Sequence, residues 1–210
     1  MLKRRIIPIL LINSNSLVKT VNFKNPRVVG DIISAVKIFD KRKADELIIL
    51  DIGKKYKNKI SKLLIKEISK HCFMPLSFGG GVRKISDAHF FFENGADKIV
   101  INTIFYKNKK LLEKIINIFG SQAVVFSLDY LFNKKTNSYS CFVDNKVLNL
   151  DPVSVAKQAE KMGVGEILFN DVDNDGMMNG YNIKYIKTLS NSVNINTIAV
   201  GGCGSKADFF

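Results

Sequence analysis

An acidic side chain at the end of an apolar run is the first candidate for chemistry in this sequence. Asp129 directly follows the run Val-Val-Phe-Ser-Leu at 124–128, a pattern typical of a buried strand. A carboxylate placed where a buried strand ends is suited to general acid–base catalysis. The sequence therefore predicts Asp129 as a catalytic residue; the alternative is an ordinary aspartate that caps a helix or lies in a loop.

Two glycine-rich turns are the second candidate feature. Gly79-Gly80-Gly81 and Gly201-Gly202-Cys203-Gly204 each follow a predicted strand. Glycines let backbone N–H groups approach phosphate oxygens, and the N-terminus of a following helix favours negative charge. The pair of turns predicts a substrate with a phosphate at each end, although a sharp strand-to-helix turn needs glycine in any case.

Further candidate substrate ligands also follow predicted strands. The substrate- and phosphate-binding residues predicted in this way are Lys19, Gly80, Gly81, Asn102, Thr103, Asp175, Gly176, Gly201 and Gly202. Asp171, Asp173 and Asp175 resemble a calcium loop, but the closing bidentate glutamate is missing at the required spacing. No metal site and no cofactor are expected.

The elements that position these residues alternate between short apolar runs and helix-like stretches, as in parallel α/β proteins. The predicted strands are 5–11, 46–52, 75–79, 97–102, 123–129, 166–171 and 196–201. The predicted helices are 31–43, 59–70, 85–94, 108–118, 152–162 and 182–191. The polar stretch 133–149 predicts a hairpin or a long loop after the fifth strand.

An internal repeat narrows the fold class. Residues 45–52 align with 165–172, and Gly80-Gly81 aligns with Gly201-Gly202, at spacings near 120 residues. Two such halves predict a (β/α)8 TIM barrel, which usually has about 250 residues. We expect one barrel domain over 1–210, with half-barrel repeats at about 1–120 and 121–210. The partner of strand 97–102 would lie beyond position 210, so the eighth strand and helix are expected to be missing.

Composition and charge exclude several classes of protein. The 210 residues are 46% hydrophobic, and no apolar run reaches the roughly 20 residues that span a bilayer. The net charge is +13, but 27 of the 32 basic residues are scattered lysines, so nucleic-acid binding is not expected. The three cysteines lie too far apart for a zinc motif. A cytoplasmic protein without membrane association is expected.

The sequence resembles the cyclase subunit of imidazole glycerol phosphate synthase, the HisF family. The likeness covers nearly the whole chain. The segments that carry it are RRIIP at 4–8, VKTVNF at 18–23, ADEL at 44–47, FGGGVR at 78–83, GADK at 95–98, INT at 101–103, FGSQAVV at 119–125, GEIL at 165–168 and DNDG at 173–176.

The resemblance implies a function for both ends of the barrel. A glutaminase partner (HisH-like, in a heterodimer) would dock below and release ammonia, which passes through the barrel to a bis-phosphorylated ribulosyl formimino substrate. No metal or organic cofactor is implied. The ammonia gate of the family matches Arg5, Glu46, Lys98 and Glu166, and Asp97 and Gln122 match partner-facing positions.

One position of the family's catalytic pair departs from the pattern. Asp129 matches one of its two catalytic aspartates, whereas Leu11 stands where the other is expected. Asn170-Asp171 also replaces a Thr-Ser-like pair of the family, and Val100 replaces a small polar residue. Residues 53–55 differ from the family's second loop.

Homologues with leucine at this position are associated with surface-polysaccharide synthesis, where they are thought to pass ammonia to a sugar amidotransferase. This role is the favoured expectation for the chain. The alternatives are a working cyclase of histidine biosynthesis, which makes imidazole glycerol phosphate and aminoimidazole carboxamide ribotide, or an inactive binding remnant.

Overall fold

The computed structural model describes residues 4–53 and 61–209, and it divides the chain into two compact units. The first unit contains the residues up to Lys19 together with Pro26–Ile101. The second contains Thr20–Asn25 and the chain from Asn102 onwards. The single barrel domain expected from the sequence stays a prediction.

The first unit is built on parallel strands joined by helices. Its strands are β1 Ile9–Asn13, β2 Ser16–Val21, β3 Lys24–Gly30, β4 Leu47–Asp51, β5 Leu76–Gly79 and β6 Lys98–Ile101. Residues 20–25, which belong to the other unit, form the end of β2, the turn and the start of β3. The helices are α1 Ile32–Lys41, α2 Lys62–His71 and α3 Ile85–Phe92. The sheet order is β6-β5-β4-β1-β2-β3. β1, β4, β5 and β6 pair in parallel, whereas β2 is antiparallel to β1.

The second unit continues the alternation with one antiparallel insertion. Its helices are α4 Thr103–Lys107, α5 Lys109–Phe119, α6 Pro152–Lys161 and α7 Ile183–Ser190, with 3-10 helices at Ser121–Ala123 and Lys206–Phe209. Its strands are β7 Val124–Asn133, β8 Ser138–Val143, β9 Lys146–Leu148, β10 Glu166–Asp171 and β11 Asn196–Val200. The sheet runs β11-β10-β7-β8-β9, in which β7, β10 and β11 are parallel.

Helix α5 shows how the sequence produces these elements. Leu112, Ile115 and Ile116 recur at helical spacing and are buried, so one face of the helix packs inward. Asn108 caps its start by accepting a hydrogen bond from the backbone N–H of Leu111 at 3.1 Å. The helix ends at Gly120, whose φ of +86° lies outside the helical region.

The two glycine turns are explained by close approach of the backbone. A Cβ added to Gly80 would lie 2.2 Å from the carbonyl oxygen of Asp51, and one added to Gly201 would lie 2.5 Å from that of Asp171. Both glycines have φ near +95°, at +94° and +96°. The repeat seen in the sequence is thus matched by the same backbone packing in each unit, where the turn after one strand touches the end of the preceding strand.

The α/β class and the order of its elements are confirmed. The first strand begins later than predicted, at Ile9, and the fifth continues past Asp129 to Asn133. Residues 133–149 form the predicted hairpin, with β8 and β9. The hairpin of β2 and β3 was not predicted, because its turn relies on Asn22 and Phe23 at positive φ rather than on glycine.

Two predictions extend outside the described residues. The helix predicted at 59–70 is described from Lys62 onwards, and residues 59 and 60 lie outside the described residues, as do 54 and 55 of the second loop. Within the described ranges no helix is long and apolar enough to cross a membrane. Barrel closure and a missing eighth strand and helix stay predictions.

Candidate functional site

Asp129 lies in the middle of β7, in the second unit, and two neighbours hold its carboxylate. Ser127 Oγ donates to Asp129 Oδ1 at 2.8 Å, and Asn102 Nδ2 donates to Asp129 Oδ2 at 3.0 Å. The same Asn102 nitrogen donates to the backbone oxygen of Ser127 at 2.9 Å. Each carboxylate oxygen therefore has one fixed donor, which holds the orientation of the half-buried side chain.

The environment of Asp129 moves its titration to neutral pH. Burial raises the pKa of Asp129 to about 7, because removal from water disfavours the charged form. Hydrogen bonds from Ser127 and Asn170 lower this pKa, and the charge of Asp175 raises it. A carboxyl group that titrates near neutral pH can both accept and donate a proton, as general acid–base catalysis requires.

Asn170 lies directly beside Asp129 on the neighbouring strand. The two residues are Cα partners in the parallel register of β10 and β7, and Asn170 is only 7% exposed. Its side chain lowers the pKa of the Asp129 carboxyl. Its Oδ1 atom is buried, and among the described residues no donor reaches it. Asp129 therefore has a buried polar neighbour with one hydrogen-bonding atom unsatisfied.

Asp175, a predicted substrate ligand, holds the tip of the β2–β3 hairpin. Its Oδ2 atom accepts from Thr20 Oγ1 at 2.7 Å and from the backbone N–H of Phe23 at 3.1 Å. Its carbonyl oxygen accepts from the backbone N–H of Asn22 at 2.9 Å. A Cβ on the adjacent Gly176 would lie 2.3 Å from the Thr20 oxygen, so the two backbones touch here.

Asn102 and Thr103, predicted together as substrate ligands, have different partners. Asn102 holds Asp129, as described above. Thr103 Oγ1 donates to Asp144 Oδ1 at 3.3 Å, in the turn between β8 and β9, and Lys107 forms an ion pair with the same carboxylate. Thr103 is thus joined to the inserted hairpin.

The remaining predicted phosphate ligands fall into both units. Gly81 has a φ of +91°, and Gly202 has a φ of +101°. A Cβ on Gly202 would lie 2.0 Å from the carbonyl oxygen of Gly180, so this glycine is also required by backbone packing. Lys19 lies on β2 and is exposed.

Leu11 lies at the centre of β1 in the first unit. Its Cα partners are Val18 of β2 and Leu50 of β4. Leu11 is half-buried and lies on the opposite face of β1 from Leu10 and Ile12, which are buried. Leu11 therefore lies with Ile9 and Asn13 on the less buried face of β1.

Three of the four predicted gate residues meet around one buried carboxylate. Glu46 precedes β4, and its side chain is 6% exposed. Arg5 forms an ion pair with Glu46 Oε1, and Lys98 Nζ lies 3.1 Å from Glu46 Oε2. The fourth residue, Glu166, is buried at the start of β10 in the second unit.

The two predicted partner-facing residues are both exposed. Asp97 Oδ2 accepts from the backbone N–H of Leu76 at 2.8 Å, and the backbone N–H of Asp97 donates to the Leu76 oxygen at 2.8 Å. Asp97 thus also bridges the starts of β5 and β6. Gln122 lies in the 3-10 helix before β7, against Gly120.

A family model for histidine biosynthesis proteins matches residues 5–210 of the chain. The chain belongs to this family, in its HisF branch. A putative imidazole glycerol phosphate synthase subunit hisF2 of Pseudomonas aeruginosa is 39% identical over 211 residues, covering 99% of this chain and 84% of the relative. The putative subunit HisF of Leptospira interrogans is 36% identical over 211 residues, covering 99% and 83%. The subunit HisF of Clostridium botulinum is 35% identical over 212 residues, covering 100% and 84%.

Two residues beside Asp129 were missed as functional candidates in this HisF-family chain. Ser127 lies inside an apolar run, and this pattern indicates only a buried strand. In the sequence alone, Asn170 is only a departure from the family pattern. The signal for Ser127 was its spacing of two residues from Asp129, which places both side chains on one face of a strand. The described parts of the chain contain no group of three or more His, Cys, Asp or Glu side chains that could bind a metal ion.

Proposed function

We propose that this HisF-family chain is a synthase subunit that receives ammonia from a HisH-like glutaminase partner and delivers it to a phosphorylated acceptor at Asp129. The observation that carries the proposal is the Asp129 carboxylate, held by Ser127 and Asn102 and titrating near neutral pH. Joining ammonia to a carbon centre requires proton transfers. Such a carboxyl group is suited to both directions of that transfer.

The charged cluster around Glu46 supports an entry point for ammonia. Arg5 and Lys98 compensate the buried Glu46 carboxylate, so the cluster stays charged without an isolated buried charge. In the proposed function this cluster acts in the ammonia gate, and the resemblance assigns the same gate role to Glu166. Asp97 and Gln122 face the glutaminase.

The glycine turns and Lys19 are proposed to bind the acceptor's phosphates. Gly80, Gly81, Gly201 and Gly202 have positive φ and carry no side chain that could keep an anion away from the backbone. Asn102, Thr103, Asp175 and Gly176 are proposed as further substrate-binding residues. No metal or organic cofactor is part of this proposal.

The identity of the acceptor depends on Leu11. A leucine cannot transfer protons, so loss of a second acid–base group should lower cyclase turnover by about 10²–10⁴-fold. We therefore favour a sugar acceptor, amidated through a sugar amidotransferase in surface-polysaccharide synthesis. The second candidate is the cyclase of imidazole glycerol phosphate synthase, which the names of the relatives favour.

Turnover with free ammonium salt separates the two candidates, because it removes the need for a glutaminase. The substrate is the ribulosyl formimino compound, and the variants are Leu11→Asp and the non-ionising control Leu11→Asn. We expect negligible cyclase turnover by the unaltered chain, a gain in Leu11→Asp and none in Leu11→Asn. Rapid turnover by the unaltered chain, abolished in Asp129→Asn, would instead establish the cyclase.

A further inference from the structure

The unsatisfied oxygen of Asn170 points to a ligand of the Asp129 site. Asn170 is only 7% exposed, and its Oδ1 atom is buried and receives no hydrogen bond from the described residues. Buried amide oxygens almost always have a donor, and leaving one without a partner is costly. Asn170 and Asp129 are register partners on the neighbouring parallel strands β10 and β7, so their side chains lie on the same face of the sheet.

We propose that Asn170 Oδ1 and the Asp129 carboxylate together form a binding site for ammonia and ammonium, with Asn170 as the residue that selects this nitrogen. This inference rests on the proposed function, since it names the residue that holds the nitrogen delivered to Asp129.

The chemistry of the two side chains selects a hydrogen-bond donor. Each Asp129 oxygen already accepts one hydrogen bond, from Ser127 or Asn102, and each retains capacity for another. Asn170 Oδ1 adds a neutral acceptor next to this carboxylate. Two acceptors side by side disfavour an anion and suit a group with several N–H bonds.

The burial of the oxygen selects a small donor. An atom with less than 1 Å² of exposed surface can be reached only by a group about the size of water, after a small shift of its surroundings. Ammonia has three N–H bonds. When two of them bind Asp129 and Asn170, its lone pair remains directed away from both acceptors and available to attack an acceptor carbon.

Direct binding of ammonium is the first test. The unaltered chain, labelled with 15N at asparagine side chains, is titrated with ammonium chloride at pH 8, with potassium chloride as the ionic-strength control. The reporter is the Asn102 amide, because it donates to Asp129 at 3.0 Å and is present in every variant. We expect a saturable shift with ammonium and none with potassium.

Asn170→Leu removes the acceptor and keeps a side chain of similar size. We expect the ammonium concentration at half-saturation to rise by about tenfold to a hundredfold, as for loss of one hydrogen bond to a charged group. Asn94→Leu is the matched control: Asn94 is 8% exposed, but its amide donates to the Phe90 oxygen at 2.6 Å. Half-saturation in Asn94→Leu should be unchanged.

Thermal unfolding supplies a second readout. Asn94→Leu loses a satisfied hydrogen bond and should lower Tm, whereas Asn170→Leu removes an unsatisfied oxygen and should lower Tm less. No ammonium-specific shift in the unaltered chain, or equal half-saturation in Asn170→Leu, would overturn the inference. Ammonium binding without turnover of any acceptor would count against the proposed function alone. Turnover with an ammonium KM unaffected by Asn170→Leu would count against the inference alone.

Discussion

Asn102 donates from one side-chain nitrogen to Asp129 Oδ2 at 3.0 Å and to the backbone oxygen of Ser127 at 2.9 Å. The amide predicted as a substrate ligand therefore braces the candidate catalytic carboxylate and the strand that carries it. Together with Ser127, which donates to the other carboxylate oxygen at 2.8 Å, it fixes Asp129 before any substrate binds. A group held in this way needs little reorganisation during proton transfer.

Ser127→Ala should raise the pKa of Asp129 above its value near 7. The Ser127 hydroxyl donates to the carboxylate and lowers this pKa, so its loss favours the protonated form. The measurement is a 13C NMR titration of the Asp129 carboxyl carbon. Ser140→Ala is the control, because Ser140 is also buried but its hydroxyl accepts from Asn133 at 3.4 Å. An unchanged midpoint in Ser127→Ala would contradict the assigned role.

Asp129→Asn should stabilise the fold at pH 8 and lose this advantage at low pH. The folded-state pKa of about 7 lies above the ordinary value of 3.8, so the stability from protonated Asp129 is present below about pH 4. It is lost as pH rises toward 7. The difference in unfolding free energy, variant minus unaltered chain, should therefore be larger at pH 8 than at pH 4 by up to about 4 kcal/mol.

Denaturant unfolding across this pH range checks the sign. Asp31 supplies an opposite control, because hydrogen bonds from Ser34 lower the pKa of this helix-capping carboxylate. Asp31→Ala should lower the unfolding free energy at neutral pH. The difference from the unaltered chain should shrink as the pH falls below 4. Parallel pH profiles for the two variants would refute the assigned environment of Asp129.

Gly80→Ala and Gly201→Ala should both destabilise the fold strongly. Their added Cβ atoms would lie 2.2 Å and 2.5 Å from the carbonyl oxygens of Asp51 and Asp171. The positive φ alone costs about 1–3 kcal/mol, and the steric overlap adds a similar amount. Gly163→Ala separates these costs, because Gly163 has a φ of +91° but its Cβ would meet no atom closer than 3.6 Å. Equal losses of unfolding free energy in all three variants would exclude the steric contribution.

Glu46→Gln should cost stability because it removes the buried charge that pairs with Arg5 and Lys98. Arg5 and Lys98 both pair with this buried carboxylate, and Lys98 is only 17% exposed. Breaking a buried pair costs about 3–5 kcal/mol, and the exposed side of this cluster should reduce that loss. Glu67→Gln is the control, because the Glu67–Lys70 pair lies at the surface and its removal should leave the unfolding free energy unchanged. A double variant with Lys98→Met should lose less than the sum of the single losses.

The sequence predicted most of the strands and helices because their signals are local. Parallel strands such as β10 are buried along their whole length and appear as continuous apolar runs. Helices such as α5 carry buried residues at helical spacing and a capping asparagine. The sequence does not predict the β2–β3 hairpin, because Asn22 and Phe23 adopt a turn that their residue types indicate only weakly.

The candidate site could be predicted only in part. The sequence by itself determined that Asp129 ends an apolar run, that the glycine turns repeat at corresponding positions and that Leu11 departs from the expected aspartate. Only the tertiary structure decided that Asn102 holds Asp129, that Asp175 holds the hairpin tip, and that Asn170 keeps an unsatisfied oxygen. The reason is physical: residue type fixes what a side chain can donate or accept, but its partner is set by strand register and packing between residues far apart in the chain.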